Sequence, residues 1–174
     1  MSNMICFNHK SDNDGMKDDL NMSNGGTSMF VNILCLSGGR LAETESQKRF
    51  MVFLAEKNQN VRGLGNVGFY IVDMPWDRNY FDEDKTFMLK VIDGARHKHG
   101  WETLGYEPNE EFVAEYLDKF QKLVERMTAE DILEESLTEW LSKADENDPV
   151  RCGFPKCKIH DTYISIHGCQ VCMD

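Results

Sequence analysis

Apolar positions are unevenly spread along the chain, and their spacing changes from one stretch to the next. Residues 1–28 are rich in Asn, Asp, Ser, Gly and Met with almost no apolar periodicity, which predicts a flexible extension ending in the linker-like Asn24-Gly25-Gly26-Thr27-Ser28. Residues 30–36 read Phe-Val-Asn-Ile-Leu-Cys-Leu, a short apolar run with β-branched members, and predict a buried strand that stops at Ser37-Gly38-Gly39-Arg40. Over residues 44–58, Phe50, Met51, Phe53 and Leu54 cluster at helical spacing, and the glycine-bearing residues 61–68 read as a turn. Phe69, Tyr70, Ile71 and Val72 predict a second strand, ended by Asp73-Met74-Pro75-Trp76. Strand, helix, strand in that order suits a parallel crossover and also a longer antiparallel arrangement.

The second half of the chain is helical by pattern. Phe87, Met88, Val91, Ile92 and Ala95 recur at three- and four-residue intervals, and Gly100 is placed to cap the end, although Gly94 weakens the helix. Phe112, Val113, Tyr116, Leu117, Phe120, Leu123, Val124 and Met127 form one apolar stripe. Thr128, with Asp131 three residues on, reads as the N-cap of a last helix with Ile132, Leu133, Leu137 and Trp140 on its inner face. The pattern predicts an α+β fold: a small sheet packed with about four helices, followed by a short cysteine-rich tail. The divisions are an extension (1–28), a core domain (29–143), a polar linker (144–150) and a C-terminal module (151–174).

Composition narrows the class. The chain has 174 residues, 41% hydrophobic and 28% charged, enough for one hydrophobic core with a small appendage. The longest apolar run, residues 50–55, is too short to cross a bilayer, and the N-terminal residues carry no signal-peptide or lipidation pattern. The net charge of −11 is regional. Residues 102–148 hold 15 of the 30 acidic residues against Lys119, Lys122, Arg126 and Lys143, and the remainder of the chain balances. Such a region repels phosphate, so direct nucleic-acid binding is not expected from it.

The cysteines change the picture further. Cys152, Cys157, Cys169 and Cys172 are separated by four, eleven and two residues, while Cys35 lies inside an apolar run. Paired cysteines on tight turns supply two tetrahedral ligands each, which predicts one structural Zn2+ on these four residues in a reducing, cytoplasmic setting. His160 follows Cys157 after two residues and is a substitute ligand for Cys152, with His167 a further one. Thr162 to Ile166 alternates like a short strand between the pairs. In these residues the tail, 151–174, resembles a zinc ribbon or treble-clef finger, a structural class without a single function. Asp161 is the only carboxylate between the pairs, which favours a closed structural site over a catalytic one.

Other constellations are thinner. Ser37-Gly38-Gly39-Arg40, between a predicted strand and a helix, resembles the start of the pyrophosphatase loop of ATP-dependent adenylating enzymes. With Asp73 and His97 or His99 it defines an alternative reading, an enzyme acting on a nucleotide or phosphoester. Asp12-Asn13-Asp14-Gly15 has the composition of a calcium loop but lacks its first and last ligands. His9-Lys10-Ser11 and His160-Asp161-Thr162 are similar to the paired motifs of two-histidine phosphoesterases. Arg151, Lys156, Lys158 and Tyr163 offer a weak nucleic-acid-binding face on the ribbon. Glu130, Asp131, Glu134, Glu135 and Glu139 place like charges close together on the last helix, as a solvated face or a docking surface for a basic protein. The functional expectation is a non-enzymatic, zinc-containing regulatory or adaptor protein that binds another protein, such as a transcription or nucleic-acid-handling component, through these acids.

Overall fold

Helix α1 (Asn24–Leu41) lies at the centre of the computed structural model, which describes residues 3–9 and 19–172, and it is buried without interruption from Thr27 to Gly39. The run 30–36, expected as a strand, is the middle of this helix. A short continuous apolar run fits either a buried strand or a helix that is covered on all sides, and periodicity cannot separate them. Here α2 (Glu45–Ala55), α3 (Phe81–Arg96) and α4 (Glu110–Arg126) all pack on α1. The glycines expected to form a linker are its first turn. They are poor helix formers, and Ser23 offsets this as N-cap, its hydroxyl accepting from Gly26 N–H at 3.1 Å.

The loop expected at Ser37-Gly38-Gly39-Arg40 is likewise helical, and its first three residues are buried. Ser37 donates to the Val91 carbonyl at 2.8 Å. Gly94 on α3 has no side chain to collide with the Ser37 hydroxyl, so the two helices approach closely there.

The sheet is small. Strand β1 (Met4–Cys6) is central, paired antiparallel with β2 (Leu20–Asn21) and parallel with β3 (Phe69–Tyr70). Ile5 stands opposite both Leu20 and Phe69. Ile5, Phe7, Leu20 and Met22 are all core residues, so the expected flexible extension does not describe residues 3–9 and 19–28. Their alternation is strand-like but very short, which is why it is hidden among polar neighbours. A parallel crossover therefore exists, but it runs from β1 through α1 and α2 to β3. The calcium-like residues 12–15, and Lys10 with Ser11, lie outside the described residues.

Other elements follow the pattern more closely. Thr44 and Gln47 form a reciprocal capping box at the start of α2, at 3.3 and 3.2 Å. The apolar stripe on residues 112–127 becomes α4, started by Asn109. Phe30 of α1 meets Phe120 of α4 at 5.4 Å, Phe120 meets Phe69 of β3 at 6.4 Å, and Phe69 meets Phe53 of α2 at 5.5 Å. These edge-on aromatic contacts tie sheet and helices into one core. Thr128 and Asp131 do form a capping box, but on the short 3-10 turn Ala129–Asp131, and α5 (Glu134–Ser142) begins beyond it.

One core carboxyl makes stability pH-dependent. Asp84, 1% exposed, accepts a 2.6 Å hydrogen bond from Ser46, and burial pushes its carboxyl up to about 6. A folded-state value above the unfolded one favours the protonated form, so this contribution is full below about pH 4 and is lost as pH rises through about 6. Asp84→Asn is expected to stabilise the protein by about 1–2 kcal/mol at pH 7.5 and to lose that advantage near pH 4. Thermal melts of both proteins across that range check this.

Candidate metal centre

The cysteine-rich segment folds as two tight turns held by single β-bridges, Lys156 to Tyr163 and Ser165 to Gly168. Cys157 N–H donates to Thr162 O at 2.8 Å and Asp161 N–H to Cys157 O at 2.9 Å, closing the first turn. Asp161, at φ 55°, and Gly168, at φ 94°, supply the left-handed residues that reverse the chain. The first turn carries Cys157 and His160, and Cys169 and Cys172 follow directly on the second, each pair with two residues between its members.

The four ligand atoms, three sulfurs and His160 Nδ1, all lie within 4.8 Å of one another. Cys157 Sγ is 3.7 Å from Cys172 Sγ, and His160 Nδ1 is 3.6 Å from Cys157, 3.6 Å from Cys169 and 3.3 Å from Cys172. A tetrahedral ion with metal–sulfur bonds of about 2.3 Å and a metal–nitrogen bond of about 2.0–2.1 Å needs edges of about 3.8 Å between sulfurs and about 3.5 Å from sulfur to nitrogen. The Cys157–Cys172 separation and the three sulfur–nitrogen separations match those edges, and all four cysteines of the segment are free thiols. Three thiols and one imidazole can therefore hold a metal ion.

Electrostatics agree. Burial alone would push the Cys157 thiol up, but the backbone N–H groups of His160 and Ile159 aimed at its sulfur outweigh that and bring it down to about 6. Cys172 moves the other way, pushed up to about 12 by burial and by Cys157 and Cys169 beside it. Three thiolates cannot sit this close without a cation, and a divalent ion is what would deprotonate all of them. Thr162 Oγ1 lies 3.4 Å from Cys169 Sγ, a hydroxyl contact that helps fix this ligand. Asp161 pairs with Lys156 at 3.0 Å rather than entering the cluster.

The centre is seated on α1. Leu36 is buried with Cys169 and Val171, Tyr163 donates to the Ala42 carbonyl at 3.3 Å, and Asn58 donates to the Gln170 carbonyl at 3.4 Å. At Gly39 a side chain would meet the Asp161 carbonyl at 2.5 Å, so only glycine allows this approach. Cys35, beneath, is fully buried and pushed up by burial and by Cys169; its thiol faces the Met51 carbonyl and is not among the clustered ligands.

The structure thus brings together Cys157, Cys169 and Cys172 with the substitute His160, not Cys152. Cys152 is exposed, and its thiol lies 3.4 Å from the Glu146 carbonyl. The signal was in the spacing: Cys157 to His160 repeats the two-residue gap of Cys169 to Cys172, whereas Cys152 stands four residues away. His167 lines a separate cleft. Of the phosphoester constellation, Asp73 pairs with His9 at 2.7 Å and His97 with Asp93 on its own helix, whereas the His99 ring and the Ser37 hydroxyl both lie against Gly94. Of the four residues expected to offer a nucleic-acid face, Tyr163 is 5% exposed with the Lys156 ammonium 5.0 Å from its ring, and Arg151 is engaged with the Ala144 and Leu141 carbonyls.

Of the acids on and before α5, Asp131 caps Thr128, Glu134 faces Arg78 at 3.5 Å and Glu139 pairs with Lys143 at 3.0 Å. Glu130 and Glu135 are exposed. No helix among the described residues is long and apolar enough to cross a membrane. No protein-family model, no curated protein and no solved structure matches the chain. The class that fold and site define is an α+β protein with a C-terminal Cys3His cluster positioned to hold a metal ion.

Elemental analysis of the purified chain is expected to give about one tightly bound metal ion per molecule. Cys152→Ser should keep it; Cys157→Ser, His160→Ala and Cys172→Ser should lose it while the far-ultraviolet helical signal persists. Gly39→Ala is expected to destabilise the folded protein by about 1–3 kcal/mol, through displacement of the Asp161 turn, and to weaken metal retention against a chelator.

Proposed function

We propose that the protein is a zinc-containing adaptor that binds another protein, the zinc serving as a structural staple and α5 as the docking element. Zinc is the metal that best suits three thiolates and an imidazole closed into a tetrahedron with no open position. Such a thiol set requires a reducing compartment such as the cytosol.

The observation that carries the partner reading is the condition of α5. It is a helix in which no residue is fully buried: Trp140 packs on Phe53, while Leu137 and Leu141 are apolar and partly exposed. Leu133, just before it, is 44% exposed. Glu130, Glu134, Glu135 and Glu139 are exposed around these residues. An apolar strip rimmed by acids fits a groove that is apolar at its floor and basic at its rim. Nucleic-acid-handling proteins present such basic grooves, and the regional negative charge would steer their approach.

The test is quantitative capture by wild type and by a Leu133→Ser/Glu135→Lys/Glu139→Lys variant that retains its metal. A partner with a basic surface should bind wild type, weaken by about tenfold or more between 50 and 300 mM salt, and be lost by the variant. Equal capture by the variant would sink the assignment of α5.

A further inference from the structure

A cleft of about 230 Å3 opens between the end of α2, the end of α5 and the turn at Ile166 and His167. Its wall gathers Lys57, Arg62 and Lys143, the last also paired with exposed Glu139 at 3.0 Å, together with Glu56, Asp148 and His167. Both acids are already engaged. Glu56 accepts from the Trp140 indole N–H at 2.9 Å, and Asp148, 5% exposed, accepts from Val150 N–H at 3.0 Å.

Lys57 has no such partner. Its ammonium lies over the Phe53 ring at 3.7 Å from the centroid and 5.7 Å from that of Phe69. Among the described residues the ammonium makes no ion pair or hydrogen bond. The charges that act on it are the adjacent Glu56 at the end of α2, Asp73 after β3 and Lys143 at the end of α5. Ring faces offset only part of the cost of withdrawing an ammonium from water, and a cation held this way is satisfied by an anion brought to it.

We propose that this cleft binds one small oxyanion, a phosphate or carboxylate group of a small molecule, through Lys57 with Arg62 and Lys143. Burial lowers the Lys57 ammonium to about 8, so it remains mainly charged at neutral pH. Trp140 and Ile166 give the rest of the ligand an apolar wall. An oxyanion shared by Lys57 and Lys143 would also join α2 to α5, the helix with no fully buried residue, and so regulate how firmly α5 is held. The site rests on the cleft alone and stands or falls independently of the partner proposed for α5.

The test is a titration of the full metal-loaded chain with inorganic phosphate and with malonate, at constant ionic strength against chloride, followed by the Trp140 indole N–H resonance. Saturable one-to-one binding is expected for at least one of them. Lys57→Met, which keeps the stem over Phe53, should weaken it by about tenfold or more, Arg62→Gln by about threefold or more, and Lys122→Met, on the outer face of α4, not at all. Malonate affinity should fall as pH rises from 7 to 9. Phosphate binding without malonate would identify a phosphorylated ligand, and the converse a carboxylate. If Lys57→Met does not fold, Arg62→Gln carries the comparison. Non-saturating shifts, or unchanged affinity in the lysine and arginine variants, would overturn the site.

Discussion

Everything else in this molecule is arranged around a helix that has no face to spare for water. From Thr27 to Gly39 α1 is buried, with α2, α3 and α4 packed on it and the cysteine-rich segment laid against its C-terminal end. Burial of this extent is the main favourable term for a chain of this size. It also constrains the sequence. Small residues must stand where neighbours come closest, as Gly39 does beneath Asp161 and Gly94 does against Ser37. Polar residues inside must find partners, as Ser37 does at Val91 O.

The metal cluster follows from that constraint. The cysteine-rich segment has little apolar surface of its own to bury, and its own bridges are single pairs. Leu36 and the Ala42 carbonyl give it a seat, and the Cys3His cluster would fix its two turns to each other on that seat. The contrast with α5 is instructive. That helix has no fully buried residue, and a hydrogen bond from Trp140 to Glu56 and an edge contact with Phe53 attach it to the end of α2.

Legibility in the sequence tracks how amphipathic each element is. α4 was readable because one face is apolar and the other is charged, and Thr44 with Gln47 caps α2 in a form that sequence can carry. α1 was not, because a helix covered on all sides loses the 3.6-residue alternation that marks a helix, leaving a run that mimics a strand. The sheet was missed at β1 and β2 because strands of three and two residues carry too few alternations to register. At the candidate site three of the four clustered ligands were among the first choices and the fourth was the named substitute. Pairing the four cysteines puts Cys152 with Cys157, whereas in the fold Cys157 is joined by His160, whose spacing fits a tight turn. Asp73 and His9 are far apart in sequence and meet only because β1 lies beside β3.

The central claim is that three thiolates and one imidazole, with His160 and not Cys152, hold the ion that fixes the tail to α1. X-ray absorption at the metal edge of the purified protein tests it most directly. The account predicts a shell of three sulfurs at about 2.3 Å and one nitrogen at about 2.0–2.1 Å, unchanged in Cys152→Ser. A shell of four sulfurs that loses one in Cys152→Ser, or one dominated by oxygen, would contradict it.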